Sequence, residues 1–185
     1  SLRNMAARDP MTDLLNRRGL LDALTRYFNS RNAMSARLLL LDVDHFKRIN
    51  DTHGHQAGDE VICQVADVLR STVRRGDLTG RIGGEEFVAV FLEADGGRVV
   101  DLAERLRASV ESHAINVTGS DDVLRCTVTI GISPPFHGAD GLEDALRHAD
   151  EALYRGKAAG RNRIESADTT ASISAEPPEP AMASV

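Results

Sequence analysis

Apolar residues recur every three or four positions in four stretches of the chain, the spacing of a helix with one buried face. In the first stretch Leu20, Leu24 and Phe28 follow one another at intervals of four. We therefore predict four amphipathic helices, at residues 16–28, 59 to about 74, 98–111 and 142–159.

Strand patterns alternate with these helices. The run RLLLLDV at residues 37–43 is apolar until it ends in an acid, which predicts a buried strand. Residues 78–82 and 87–91 predict the arms of a hairpin, residues 124–133 a further strand, and residues 163–164 a short last strand. This order predicts an α+β fold in which helices cover a central sheet.

The ends of the chain differ from its middle. We expect residues 1–8 to end an upstream linker or helix and residues 9–165 to form one domain. From residue 166 the sequence is rich in Ser, Thr, Ala, Pro and Glu without periodic apolar residues, so we expect a disordered tail to residue 185. The first residue is not Met, and we expect a piece of a longer protein.

Composition narrows the function. A net charge of −6 with 4% aromatic residues argues against nucleic-acid binding, so an anionic ligand would need metal, lysine or arginine at its site. No apolar run approaches the ~20 residues that span a bilayer. We expect a cytoplasmic domain, free or attached to a membrane-anchored protein. Its cysteines, Cys63 and Cys126, are expected to be buried free thiols.

The stretch RIGGEEFVAVF places two glycines and two acids between strand-forming runs. Glu85 at its tip and Asp42 at the end of the buried strand meet if these strands are neighbours. Two carboxylates on separate elements suit Mg²⁺, with substrate phosphates completing the shell. Gly83 and Gly84 leave room for a ligand against the backbone. A solvated acidic hairpin is the alternative, and we interpret Asp44 as structural.

The stretch LDVDHFKRINDTHGHQAGDE followed by RIGGEEF resembles the GGDEF domain of diguanylate cyclases, with the GGEEF variant at residues 83–87. DPMTDLLNRR at residues 9–18 matches the opening motif of that family, and ADEALYRGKAAGRNRI at residues 149–164 matches the closing one. The resemblance covers residues 9–164. It implies a fold related to nucleotidyl cyclases and polymerase palms, with a mostly antiparallel central sheet and an exposed signature hairpin.

The resemblance also implies a reaction in which two GTP molecules give cyclic di-GMP and pyrophosphate. Two domains then face each other as a homodimer, and an upstream sensory domain brings them together. Mg²⁺ (or Mn²⁺) is held by the Asp42 and Glu85 carboxylates and by the Val43 carbonyl. Glu86 is a further catalytic acid, either a ligand or a proton acceptor.

Asn50 and Asp59 flank the predicted glycine-rich turn DTHGHQAGD. One carboxylate can accept from both N1–H and N2–H of guanine, a donor pair that adenine lacks, so Asp59 gives a reason for GTP over ATP. The alternatives are that Asp59 caps the following helix and that Asn50 belongs to a turn. The resemblance favours nucleotide binding.

Groups that could bind the triphosphate come from two places in the sequence. Lys157 and Arg161 lie four residues apart, on one face if the last helix reaches Arg161. A helix end that favours positive charge explains them equally well from the sequence alone. By the resemblance they bind phosphates. Phe46 and Lys47 follow the first strand, where N–H groups at a helix start can bind phosphate.

Upstream of the signature, RRGD places Arg74 three residues before Asp77. Its distance from the signature resembles the inhibitory site of the family, where cyclic di-GMP binds, with Arg105 as a weaker partner. Arginine can bind guanine or phosphate as a fork, and aspartate can accept from the guanine edge. The alternative is a helix end followed by a turn.

A catalytically silent module that binds GTP or cyclic di-GMP is the competing function, and a mixed dinucleotide or simple cyclic nucleotide is a third possibility. The signature and its metal ligands are intact, which favours the enzyme. Gly156 departs from the family, which has a small helix former there, and costs about 1 kcal/mol if it is helical.

Overall fold

The structure, a computed structural model, describes residues 6–93 and 96–167. The helices in these ranges are α1 Arg17–Phe28, α2 Phe46–His53, α3 His55–Thr72, α4 Gly96–Ser112 and α5 Leu142–Ala158, and a 3₁₀ turn at Ala139–Gly141 precedes α5. The strands are β1 Ala36–Val43, β2 Leu78–Arg81, β3 Glu86–Leu92, β4 Ile115–Asn116, β5 Val123–Leu124, β6 Val128–Ile132 and β7 Ile164–Ser166.

Five strands form one sheet in the order β2-β3-β1-β6-β7. The central strand β1 is antiparallel to both β3 and β6, and only the β6–β7 pair is parallel. β4 and β5 pair in a separate two-stranded sheet. The predicted α+β fold, with a mostly antiparallel sheet flanked by helices, is confirmed.

Helices cover both faces of the sheet, and β1 is therefore buried along its whole length. Leu39, Leu41 and Val43 belong to the core cluster that also holds the inner residues of α3 and α4. Leu38 and Leu40 belong to the other cluster, with residues of α1 and α5. Alternation along one strand thus supplies both cores. None of the helices in the described ranges has the length and apolar character that a membrane crossing requires.

The predicted turn between Asn50 and Asp59 is wrong. α2 continues to His53 and α3 starts at His55, so the break is one residue, Gly54. Its φ of 87° is a conformation that glycine adopts at no steric cost, and it lets the chain change direction abruptly. Asp59 therefore lies inside α3 and does not cap it.

Two other boundaries differ from the prediction. The strand expected at residues 124–133 divides, because residues 125–127 leave the ladder and β5 pairs with β4. Helix α5 ends at Ala158, and Arg161 has a left-handed φ of 64°, so Lys157 and Arg161 do not share a helix face. The predicted tail lies outside the described residues from residue 168 onward. Cys126 is a buried free thiol as predicted, whereas Cys63 is half-buried on α3.

Candidate active site

The acid edge, which we define as Asp42, Val43 and Glu85, lies where β1 ends beside the hairpin of β2 and β3. Asp42 is paired in register with Glu86, and the Val43 N–H donates to the Glu85 carbonyl at 3.2 Å. The three residues line one cavity of about 190 Å³, together with the predicted phosphate-binding residues Phe46, Lys47, Lys157 and Arg161. Strand pairing therefore brings the predicted acids and cations to one place.

Asp42 is paired with a cation. Its side chain is 10% exposed, and the Lys157 ammonium donates to Asp42 Oδ2 at 2.8 Å. Burial raises the pKa of the Asp42 carboxyl above its ordinary value; the Lys157 ammonium opposes that shift, and the negative charge of Glu85 adds to it. A positive charge beside Asp42 and Glu85 therefore stabilises their ionised carboxylates.

Among residues 6–93 and 96–167, no group of three or more His, Cys, Asp or Glu side chains is placed to hold a metal ion. The acid edge instead offers two carboxylates and the Val43 carbonyl. This oxygen set suits Mg²⁺, which binds through one or two carboxylates when substrate phosphates and water supply the other ligands. The Lys157 ammonium on Asp42 already shows that a cation reaches this carboxylate. The residues therefore fit a magnesium ion that arrives with a phosphate-bearing ligand.

Asp44 has a separate, structural role, as its position beyond the end of β1 suggested. It is 4% exposed and accepts three hydrogen bonds. The Thr129 hydroxyl donates to Oδ1 at 2.6 Å, and the Thr127 hydroxyl and the Asn162 N–H donate to Oδ2 at 2.7 and 3.0 Å. Both oxygens are occupied, so Asp44 joins the end of β1 to β6 and to the turn after α5.

Glu86 lies next to the acid edge but lines a neighbouring cavity of about 250 Å³, which also has Asp150 and Arg147 of α5 in its wall. Its carboxylate lies against Gly83, where an added Cβ would be 2.6 Å from Glu86 Oε2. Burial raises the pKa of the Glu86 carboxyl, and the negative charge of Asp42 raises it further. A carboxyl with a raised pKa beside the edge is suited to accept a proton.

Asn50 and Asp59 are brought together at the corner between α2 and α3. Asn50 Oδ1 lies against Gly58, where an added Cβ would be only 1.8 Å away. This oxygen is buried and has no hydrogen-bond partner among the described residues. A buried acceptor without a partner is costly, so this corner favours a ligand that brings an N–H donor. Asp59, the next residue after Gly58, is exposed to such a ligand.

The phosphate-binding candidates converge although they do not share a helix. Phe46 and Lys47 open α2, after His45 turns the chain in a left-handed conformation with φ of 55°. Arg161 reaches the same cavity from the turn after α5. The cavity therefore combines free N–H groups at a helix start with three cationic side chains, a combination that binds anions.

Two residues that position the signature were missed by the sequence analysis. Arg81 donates to the Gly84 carbonyl at 2.8 Å and forms an ion pair with Asp9 at 3.1 Å. Burial alone would raise the pKa of the Asp9 carboxyl, but hydrogen bonds from Thr12 and the contact with Arg81 lower it overall. The sequence signal that could have identified Asp9 was the Asp9-x-x-Thr12 pattern, in which the aspartate side chain accepts from the backbone three residues later and forms a turn. This ion pair ties the start of the domain to the signature turn.

The predicted inhibitory motif is a closed ion pair. Arg74 Nε donates to Asp77 Oδ2 at 2.6 Å, and the Asp77 side chain is fully buried. The Leu92 N–H donates to Asp77 Oδ1 at 2.9 Å, and the Leu92 carbonyl accepts from Arg74. Arg105 lies exposed on α4. Any ligand that uses Asp77 must first displace these donors.

Comparison with known proteins gives one consistent result. The family model described as "Diguanylate cyclase, GGDEF domain" matches residues 6–163. Diguanylate cyclase DgcP of Pseudomonas aeruginosa is 44% identical over 88% of this chain and 24% of its own length. The chain spans between 24% and 39% of the length of these curated relatives.

Solved structures agree with this. The GGDEF domain of DgcB from Caulobacter crescentus, in complex with c-di-GMP, has a TM-score of 0.79 and 33% identity over 88% of this chain and 96% of that one. The active GGEEF domain of a diguanylate cyclase from Vibrio cholerae has a TM-score of 0.71 and 33% identity over 83% and 97%.

Proposed function

The chain belongs to the diguanylate cyclase, GGDEF domain, family, and on that premise we propose that it joins two GTP molecules into cyclic di-GMP with release of pyrophosphate. The observation that carries the proposal is the cavity at the acid edge. It brings the Asp42 and Glu85 carboxylates together with three cations, and it lies beside a helix corner with an unsatisfied buried acceptor.

The corner between α2 and α3 selects the base. Asn50 Oδ1 accepts an N–H of guanine, and the Asp59 carboxylate accepts from the N1–H and N2–H pair. Adenine lacks this donor pair and would leave the buried oxygen unsatisfied, a penalty that discriminates strongly between substrates. Gly58 is required here because any side chain would occupy the space of the Asn50 amide.

The triphosphate lies along the start of α2. The Phe46 and Lys47 N–H groups, the Lys157 ammonium and the Arg161 guanidinium neutralise its charge and orient the α-phosphorus. Mg²⁺, bound by Asp42, Glu85 and the Val43 carbonyl together with phosphate oxygens, would lower the pKa of the 3′-hydroxyl and offset charge on the phosphates.

Glu86 accepts the proton of the 3′-hydroxyl. The 3′-oxygen of each GTP forms a bond to the α-phosphorus of the other GTP, and the bond from each α-phosphorus to its pyrophosphate breaks, so that both pyrophosphates leave. One domain binds one GTP, so two copies must face each other and the reaction is that of a homodimer. In the whole protein, upstream domains set how often this pairing occurs.

We further propose that cyclic di-GMP inhibits through Arg74, Asp77 and Arg105. Binding there opens the Arg74–Asp77 pair, so the guanine edge takes the place of the donors that now hold Asp77. Solved structures of DgcB, a relative, hold c-di-GMP. Arg105→Ala is the cleaner test, because Arg105 is exposed whereas loss of Arg74 would leave a buried carboxylate unpaired. It should raise the product concentration that gives half-inhibition, and Arg26→Ala, an exposed arginine of α1, should not.

The test of function is product analysis by chromatography and mass spectrometry after incubation with GTP and Mg²⁺ at several protein concentrations. Cyclic di-GMP should rise faster than linearly with protein and be absent for Glu85→Ala. Glu151→Ala, which removes a surface carboxylate of α5, should keep the activity. GTP binding without product at any concentration, even in a fused dimer, would refute the enzyme and leave a silent binding module.

A further inference from the structure

A second cleft, of about 560 Å³, lies between α2 and the segment that joins β5 to β6. It is larger than the cavity at the acid edge and is lined by a different face of α2. Arg48 and Ile49 line this cleft, whereas Asn50 points to α3. Its volume lies within the range of about 300–1,000 Å³ that holds small molecules.

Two arginines line this cleft, Arg48 on α2 and Arg125 in the segment between β5 and β6. Arg48 makes no recorded hydrogen bond or ion pair with the residues that the structure describes. Arg125 donates one bond, from Nη1 to the Ser112 carbonyl at 3.0 Å, and has no carboxylate partner in the same ranges. Most of the donors of both guanidinium groups are thus available to a ligand.

The acids that line the cleft are already engaged. Both Asp44 oxygens accept hydrogen bonds, from Thr127, Thr129 and the Asn162 N–H. The Glu111 carboxylate is held by Arg107 at 2.7 Å and by the Asn162 amide. Arg107, outside the cleft, offsets the charge of Glu111, and Arg48 and Arg125 are the lining cations whose donors are mostly uncommitted.

Ile49 and Cys126 are less polar residues in the lining of the cleft, and Cys126 is 6% exposed. Burial raises the pKa of the Cys126 thiol to about 11, so at neutral pH it is an uncharged, weakly polar surface. His45 and His53 stand at the two ends of α2 beside the same space.

We propose that this cleft binds a small organic anion, with a phosphate or carboxylate group on an apolar body. The guanidinium groups of Arg48 and Arg125, which line the same cleft, bind the anionic group, because their N–H forks match phosphate and carboxylate oxygens. Ile49 and Cys126 contact the apolar body. The cleft adjoins the cavity at the acid edge, with which it shares Asp44 and His45, but Arg48 and Arg125 line the cleft alone, so the proposal stands whether or not the chain is a cyclase.

The test is an amide NMR titration of the full 185-residue chain with phenyl phosphate, in a phosphate-free buffer at constant ionic strength. Saturable shifts are expected for the amides of residues 48–53 and 125–127. Phenol, which lacks the charge, should give none of these shifts at the same concentrations. Inorganic phosphate, which lacks the apolar body, should bind more weakly.

Two substitutions decide the outcome. Arg48→Gln and Arg125→Gln should each weaken binding about tenfold or more, the loss expected when a charge-assisted hydrogen bond is removed. Arg48→Gln is decisive because it breaks no recorded contact. Arg26→Gln, a surface arginine of α1, should leave the affinity unchanged. The proposal is overturned by shifts confined to Lys47, Lys157 and Arg161, by shifts that never saturate, or by equal affinity in Arg48→Gln.

Discussion

Gly156 offers the sharpest test of how the last helix packs on the sheet. It is buried within α5, so replacement by alanine should gain about 1 kcal/mol of helix propensity. An added Cβ, however, would lie 2.7 Å from Thr129 Cγ2 and 3.2 Å from Glu165 Cγ. Ordinary carbon contacts are about 3.5–4.0 Å, so the methyl of Thr129 blocks the alanine.

The magnitude follows from these opposing effects. Overpacking of this kind costs about 1–3 kcal/mol, so Gly156→Ala should change stability by between about 0 and 2 kcal/mol, in the destabilising direction. Thr129→Ser removes the obstructing methyl but keeps the hydroxyl that donates to Asp44, at a cost of about 0.8 kcal/mol. In the double variant the alanine fits, and stability should return to near that of the original chain.

The assay is urea unfolding of the four chains, with linear extrapolation to water and a double-mutant cycle. We expect a coupling free energy of about 1–3 kcal/mol between Gly156 and Thr129, equal to the overlap that only Gly156→Ala suffers. The reasoning is refuted if Gly156→Ala alone is more stable than the original chain and the coupling is zero. In that case helix propensity would dominate and the close approach would be of no consequence.

Three further predictions concern the site and its support. Glu86→Gln should raise thermal stability at pH 7, because the raised pKa of Glu86 means that the folded chain loses stability as pH rises above the ordinary value of 4.5. The gain should vanish below that pH, and a variant that is less stable at pH 7 would contradict this reasoning. Gly58→Ala should keep the fold but displace Asn50, so calorimetry should show GTP affinity reduced about tenfold or more, and unchanged affinity would argue against base recognition at this corner. Asp9→Asn should lower stability at pH 7 by at most about 1 kcal/mol. Because folding lowers the pKa of Asp9, this difference should shrink as pH falls below 3.8. A difference that does not depend on pH would exclude the ion pair with Arg81 as its cause.

The sheet could be predicted because its signals are local. The apolar run of β1 and the strand patterns on either side of the signature need no knowledge of the rest of the chain. The sequence placed a helix start at Phe46 and Lys47 but did not predict the extent of α2, because FKRINDTH contains Asn, Asp and Thr, which are weak helix formers. Phe46 and Ile49 pack against the core, and this tertiary contact outweighs the poor propensity.

The members of the acid edge were predicted, but the partners of each group were not. Nothing in the letters RRGD tells whether Arg74 is free or already bound to Asp77. The adjacent acids Glu85 and Glu86 line different cavities, because Glu85 lies in the bend before β3 whereas Glu86 is the first residue of that strand. The left-handed turn at Arg161 has no sequence signal, since arginine rarely adopts it.

The contacts of Asp44 affect how the candidate site comes apart when the chain partly unfolds. This carboxylate fastens three separate segments, the end of β1, the start of β6 and the turn after α5, and it lines the cavity at the acid edge. Such a junction makes neighbouring segments open as one cooperative unit. Fraying from the carboxyl end would carry Arg161 away only by breaking the same junction that holds Asp42 in place. The carboxylates and the phosphate-binding cations should therefore exchange their amide hydrogens together, and partial unfolding should abolish binding in one step.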